Sequence, residues 1–123
     1  MPVEKWQVFH TFCRHTLPEP KNKFVVIVCT KPELLGFLIN SRVNDYILNR
    51  PHLLPCEVPL LATNYEFLNH DSYLDCRDPY PFDEAELTEL VGIINNLDRP
   101  IVLQAVGICP VIRHNRRQQI LTP

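Results

Sequence analysis

The chain has no Cys-x-x-Cys pair, no His-x-His or His-Glu-x-x-His spacing, and no strong excess of charge of one sign. Each absence removes a class of protein. Five cysteines, an odd number without paired spacing, speak against a disulfide framework and against a zinc ribbon. Free thiols fit a reducing compartment, and Cys29, inside an apolar stretch, reads as a small hydrophobe. The longest apolar runs, such as Phe24 to Cys29, fall far short of the roughly 20 residues a bilayer-spanning helix needs. Glu4 and Lys5 interrupt the N-terminal stretch and no apolar h-region follows, so no signal peptide is expected and the expected location is cytoplasmic. No internal repeat, low-complexity segment or dividing linker is visible.

What is present fits one domain over residues 1–123, with 46% hydrophobic residues to build a core. The net charge of −2 gives no global pull on nucleic acid. The charge is uneven, however. Glu66, Asp71, Asp75, Asp78, Asp83, Glu84, Glu86 and Glu89 crowd one stretch with only Arg77 against them, while Arg99, Arg113, Arg116 and Arg117 load the C-terminal end. That end is either a local phosphate-binding patch or a solvated helix whose last-turn cations suit the helix dipole.

Along the chain, Val3 to Cys13 alternates roughly with period two and suggests a first strand, and Leu17 to Asn22, with two prolines, a loop. Lys23 to Thr30 is apolar and β-branched, as expected of a strand buried on both faces. Leu35 to Ser41 reads as the next strand. Pro51, Pro55 and Pro59 exclude a long helix or a central strand, leaving a loop and a short strand near Val58 to Ala62. Tyr65 to Phe67 reads as a turn, and a strand follows around Ser72 to Cys76, stopped by Asp78-Pro79 and Tyr80-Pro81.

Asp83 opens the clearest helical pattern. It suits an N-cap, with Glu86 at the capping-box position and Phe82 placed to staple onto Leu87. Leu87, Leu90, Val91, Ile94 and Leu97 recur at helical spacing. A second helix from Asp98-Arg99-Pro100, or a strand over Ile101 to Val106, comes next, and periodicity does not separate the two. Pro110 opens a last helix to about Leu121, with Arg113, Arg116 and Arg117 directed outward. Strands over about 3–76 and helices over about 83–121 make an α+β protein with a small, strongly bent sheet or barrel, rather than a βαβ parallel sheet.

Asn69 to Asp78 (NHDSYLDCRD) concentrates ionisable, thiol and hydroxyl groups in a strand-like stretch. If the segment is extended, His70, Ser72, Leu74 and Cys76 share one face, and Asp71, Tyr73, Asp75 and Arg77 share the other. Neither face is cleanly apolar, which points to a site without naming a reaction.

Three segments together resemble the MazF/PemK class of toxin endoribonucleases. Glu4-Lys5-Trp6-Gln7-Val8 is similar to that family's opening strand. Lys23 leading into Phe24-Val25-Val26-Ile27-Val28-Cys29-Thr30 resembles its second strand, a basic residue before an apolar run ending in Ser or Thr. Asp75-Cys76-Arg77 resembles a segment with a basic and an acidic residue either side of a small one, the acid here coming first. The resemblance implies an SH3-like antiparallel barrel, a homodimer, a small antitoxin partner and cleavage of single-stranded RNA without a metal or other cofactor.

Such cleavage needs a base for the 2′-hydroxyl proton, an acid for the leaving oxygen and a cation for the phosphorane charge. Arg77, with its planar fork of donors, is the expected phosphate clamp. Asp75 is the base or holds Arg77 in place, and His70, as an imidazole, is an acid or base. Lys23, Thr30 and Tyr73 are the expected substrate contacts. An ordinary same-strand ion pair is the competing account of Asp75 and Arg77, and a backbone-bonded turn residue that of His70. A Cys76–His70 mechanism fails on reach, since six extended residues span roughly 20 Å. A metal site of His70, Asp71 and His10 or His15 has no spacing behind it. The opposing class is a non-catalytic SH3-like binding module for a peptide or nucleic acid, or an inactive relative, with Tyr65, Phe67, Tyr73, Tyr80 and Phe82 lining a groove.

Overall fold

The structure, a computed structural model, describes residues 2–122. Six strands are present: β1 (Gln7–Cys13), β2 (Lys21–Cys29), β3 (Leu35–Asn40), β4 (Glu57–Leu60), β5 (Ser72–Pro81) and β6 (Glu89–Ile93). They form one antiparallel sheet in the order β4-β5-β3-β2-β1-β6. Short elements connect them: helix α1 (Asp45–Leu48) and 3₁₀ turns at Pro51–Cys56, Ala62–Asn64 and Glu84–Glu86. Helices α2 (Arg99–Ile108) and α3 (His114–Leu121) close the chain. Among the described residues no helix is long and apolar enough to cross a membrane.

The ladder slips at Val8/Phe9 against β6, at Ile27/Cys29 against β3 and at Gly36/Leu38 against β5. Each irregularity bends and twists its strand, and the sheet curls into a half-barrel with α2 and α3 on one side. One face of the sheet supplies the main core: Val8, Val26, Val28, Phe37, Ile39, Leu74 and Cys76 meet Val102, Val106 and Ile120 of the helices. The other face carries a smaller cluster of Phe9, Cys13, Val25, Ile27, Leu38 and Phe82. With both faces covered near its middle, β2 is buried from Val25 to Cys29, as its continuous apolar run requires.

Trp6 sits at the mouth of this arrangement with φ of 80°, a conformation unfavourable for a bulky side chain. Both of its backbone groups are engaged: its N–H donates to the Ile27 carbonyl (2.6 Å), and its carbonyl accepts from the Ile94 N–H (2.9 Å).

Two expectations from sequence are corrected. The helix expected from Asp83 to Leu97 is a single 3₁₀ turn followed by the edge strand β6. The capping box does form, with the Asp83 N–H donating to Glu86 Oε1 at 2.8 Å, but it caps only that turn. Gln7 to His10 of β1 offer an open edge, and Glu89 to Ile93 pair with it. The apolar residues that suggested a helix face do not share one buried side, since Leu90 is 56% and Leu97 84% exposed while Ile94 is fully buried. Strand β5 also continues past the expected stop, running to Pro81. Pro79 is tolerated because residues 76–79 bulge out of the β3 ladder, and Pro81 is the last residue of the strand. The alternative of a strand over Ile101 to Val106 is excluded by α2, which has Pro100 in its first turn, where the missing N–H costs nothing.

Gly92 provides a test of β6. In a helix, Gly92→Ala would stabilise by about 1 kcal/mol. In the strand, the added Cβ would lie 2.8 Å from the Phe67 ring, so the substitution is expected to destabilise by about 1 kcal/mol or more. Urea unfolding of the two proteins distinguishes these signs.

Candidate functional site

The inward alternation of β5 buries Ser72, Leu74 and Cys76 and turns Tyr73, Asp75 and Arg77 to the opposite, partly open face. On that face the Asp75 carboxylate is gripped by its neighbour. Arg77 donates from Nε at 3.0 and 3.2 Å and from Nη2 at 2.9 Å, and its backbone N–H donates at 3.2 Å. The two side chains are only 26% and 16% exposed, so this is a shielded, bidentate pair.

Glu57 of the edge strand β4 lies directly across from Asp75 in the ladder. Both of its carboxyl oxygens are buried, and as a carboxylate neither has a donor within reach. A proton resolves this, because a neutral Glu57 can donate to Asp75. Burial, then that hydrogen bond and the Asp75 charge, push the Glu57 pKa up to about 9. Burial alone would also raise Asp75, but the hydrogen bonds from Arg77 and Glu57 and the guanidinium charge outweigh it and hold Asp75 below the usual carboxylate range. The result is a line of neutral acid, carboxylate and guanidinium, with one proton between two acids.

Two hollows flank this line. One, of about 270 Å³, is bordered by Lys21, Lys23, Asn40, His15, Tyr80 and the Asp75–Arg77 pair. Its lining carries three fixed cations against the single Asp75 carboxylate, which makes it a local anion-attracting site in a chain of acidic average. Lys23 Nζ donates to Asn40 Oδ1 at 2.6 Å, and burial, followed by the charge of Lys21, lowers its pKa. His15 stacks on Tyr80 at 4.7 Å, and its Nε2 lies 2.8 Å from the Pro81 carbonyl. A carbonyl only accepts, so Nε2 carries the hydrogen, and in the neutral ring Nδ1 remains an acceptor. The second hollow, about 250 Å³, lies on the far side of the pair between Tyr46, Leu53 and Val111. Arg77 stands 5.6 Å from the centre of the Tyr46 ring.

Of the residues expected from sequence, Asp75, Arg77 and Lys23 border one cleft. Tyr73 shares their face, paired with Asn40 on one side and Pro59 on the other. His70 is exposed, with its Nδ1 3.2 Å from the Asp71 carbonyl, and borders a neighbouring hollow that also includes His10, Phe24 and Lys23. It precedes β5 and does not line the cleft that holds Arg77. Thr30 is at the other end of β2, beside Lys5, Lys31 and Gln119. The C-terminal arginines do not form the outward patch that the sequence suggested. Arg116 donates to the Pro79 carbonyl (2.7 Å), and Arg117 to the carbonyls of Val106 and Cys109; only Arg113 stays well exposed. Tyr65 and Phe82 are buried and line no groove. Among the described residues no cluster of three potential metal ligands occurs.

Sequence reasoning missed Glu57, His15 and Lys21. Glu57 did leave a signal, as one acid in the otherwise apolar run Cys56-Glu57-Val58-Pro59-Leu60. His15 and Lys21 left none, since only the return of the β1–β2 connection brings them over β5.

The shared proton has a measurable consequence. Glu57 binds its proton in the folded chain up to a pKa of about 9 but releases it near the ordinary carboxylate value when unfolded. The unfolded state therefore holds fewer protons between these limits, and stability falls as pH rises from about 5 to 9. Glu57→Gln keeps a donor to Asp75 and removes the titration, so the melting temperature of this variant should decline less over that window. Parallel curves for the two proteins would show that Glu57 is ionised throughout.

No protein-family model matches the chain, and no curated protein sequence does. A solved structure, the Mycobacterium tuberculosis toxin MazF-mt6, is similar to it, with a TM-score of 0.61 over 82% of this chain and 92% of that one at 19% sequence identity. At that identity the likeness is one of fold. The chain has the α+β architecture anticipated from its order of strands and helices: a curled antiparallel sheet and C-terminal helices, shared with a MazF toxin.

Proposed function

We propose that this protein is a metal-independent endoribonuclease of the toxin–antitoxin kind, acting on single-stranded RNA at the cleft around Arg77. The observation that carries the reading is the cationic hollow of Lys21, Lys23 and Arg77 beside one carboxylate, on the open face of a MazF-like sheet. A phosphodiester fits that charge arrangement, and Tyr80 and His15 offer flat surfaces at its rim.

In this reading the 2′-oxygen attacks phosphorus and the 5′-oxygen leaves, taking a proton from solvent at the open cleft and giving a cyclic phosphate. Arg77 spends Nε and Nη2 on Asp75, which leaves Nη1 for a phosphate oxygen as charge develops. Asp75, held at low pKa, is a weak base at neutral pH and serves to orient Arg77. The accepting Nδ1 of His15 suits removal of the 2′-hydroxyl proton. Lys23 supplies the second phosphate contact and joins this hollow to the one that His70 borders, so His70 meets a flanking nucleotide. Homodimerisation, a small antitoxin partner and a cytoplasmic location belong to the same reading by analogy with the toxin fold.

A second reading, a non-catalytic binding module, has one observation in its favour: Asp75 and Arg77 satisfy each other. Cleavage of a mixed-sequence single-stranded RNA in excess EDTA separates the two. The wild-type protein should cut, and Arg77→Ala, checked for folding by circular dichroism, should lose roughly 10²–10³-fold in rate. Equal cutting by both would remove Arg77 from the site. Binding without cutting by either would leave the module reading.

A further inference from the structure

Two thiols distant in sequence meet inside the core, outside the lining of the cleft. Cys56 ends the 3₁₀ turn leading into β4, and Cys109 is the residue that follows α2. Their sulfurs are 2.7 Å apart, roughly 0.7 Å beyond a covalent S–S bond. They are 0% and 1% exposed and belong to the main hydrophobic core with Val58, Val102 and Val106. A thiol pair so placed needs little backbone movement to become a disulfide, the main geometric obstacle to forming one. The other cysteines offer no such contact: Cys29 bonds the Lys31 carbonyl, and Cys76 bonds that of Leu74.

We propose that Cys56 and Cys109 form an oxidisable dithiol, a modification site at which a low-molecular-weight disulfide such as oxidised glutathione installs an intramolecular bond between β4 and the end of α2. The steps balance. When the seam between α2 and β4 opens, one cysteine thiolate attacks a sulfur of oxidised glutathione and displaces a glutathione thiolate. On closure the second cysteine, as its thiolate, attacks the mixed disulfide and displaces the other glutathione. The two cysteines lose two protons and two electrons, and one oxidised glutathione becomes two reduced molecules. Burial makes the reaction slow, because both sulfurs are shielded from solvent until the seam opens. The bond then closes a loop from Cys56 to Cys109, which restrains the unfolded chain. Because Cys109 Sγ also lies 3.7 Å from the Arg77 carbonyl, the modification sits directly beneath the cleft.

The test uses the purified full chain incubated with oxidised glutathione, quenched with an alkylating reagent and mapped by mass spectrometry without reduction. The expected product links the Cys56 and Cys109 peptides, weighs about 2 Da less than the starting chain, and retains three of the five free thiols. Its melting temperature should rise by roughly 10 °C and return on adding dithiothreitol; Cys109→Ala should show no such rise. Stable glutathione adducts that never resolve, a link through Cys76 instead, or no reaction where the urea-unfolded chain is fully oxidised would each overturn the assignment. Thiol mapping and melting are read without RNA, so failure here is separate from failure of the nuclease reading.

Discussion

Between the pairs Leu38–Asp75 and Gly36–Tyr80 the ladder joining β3 to β5 advances two residues on one strand and five on the other. Cys76 to Pro79, four residues opposite the single Phe37, form a large bulge, and much of the molecule is arranged around it. Within it, Arg77 folds its side chain back onto Asp75, its neighbour on the same face of the strand. The bulge also frees the carbonyls of Arg77 and Pro79 from the ladder. Cys109 at the end of α2 takes the first and Arg116 of α3 the second, so the helical layer is docked on the same irregularity that shapes the cleft. On the β3 side the approach is close enough that a Cβ on Gly36 would lie 2.5 Å from Val25 Cγ1, which explains why glycine stands there.

The polar line from Glu57 through Asp75 to Arg77 is what makes the bulge tolerable on a half-buried face. Two carboxylates directly opposed across a strand pair would repel, and a lone buried guanidinium would be costly. Placing one proton on Glu57 and one negative charge on Asp75 leaves each acid with a partner. The cations across the cleft, Lys21 and Lys23, then face a site whose single negative charge is already matched by Arg77, so the hollow retains a net attraction for anions.

How much of this was legible in the sequence depends on which forces fix each element. The apolar, β-branched run from Phe24 to Cys29 carries its own instruction, as do prolines 51, 55 and 59, and both were readable. The pairing of Asp75 with Arg77 was readable because strand alternation puts them on one side. The stretch from Asp83 to Leu97 misled, because its spacing satisfies a helix while the open edge of β1, a partner nearly eighty residues earlier, decides the outcome. Local pattern cannot register such a partner. The same applies to Glu57, His15 and Lys21, which reach the cleft through register and a loop's return path. The basic C-terminal end was visible as charge, but its use in capping backbone carbonyls depends on where α3 lands.

The bridging role of Trp6 bears on how the chain assembles. Its two backbone bonds tie Ile27 to Ile94, and beside it Gln7 pairs with Ile93, so the first strand acquires its second neighbour only from near the far end of the sequence. Contacts of such separation must overcome the entropy of closing a long loop before they contribute stability, and topologies built on them fold slowly. On the ribosome, β1 can pair with β2 early, yet its outer edge stays open until most of the chain has emerged. The strained backbone at Trp6 therefore gains its second backbone partner only once Ile94, beyond β6, has emerged.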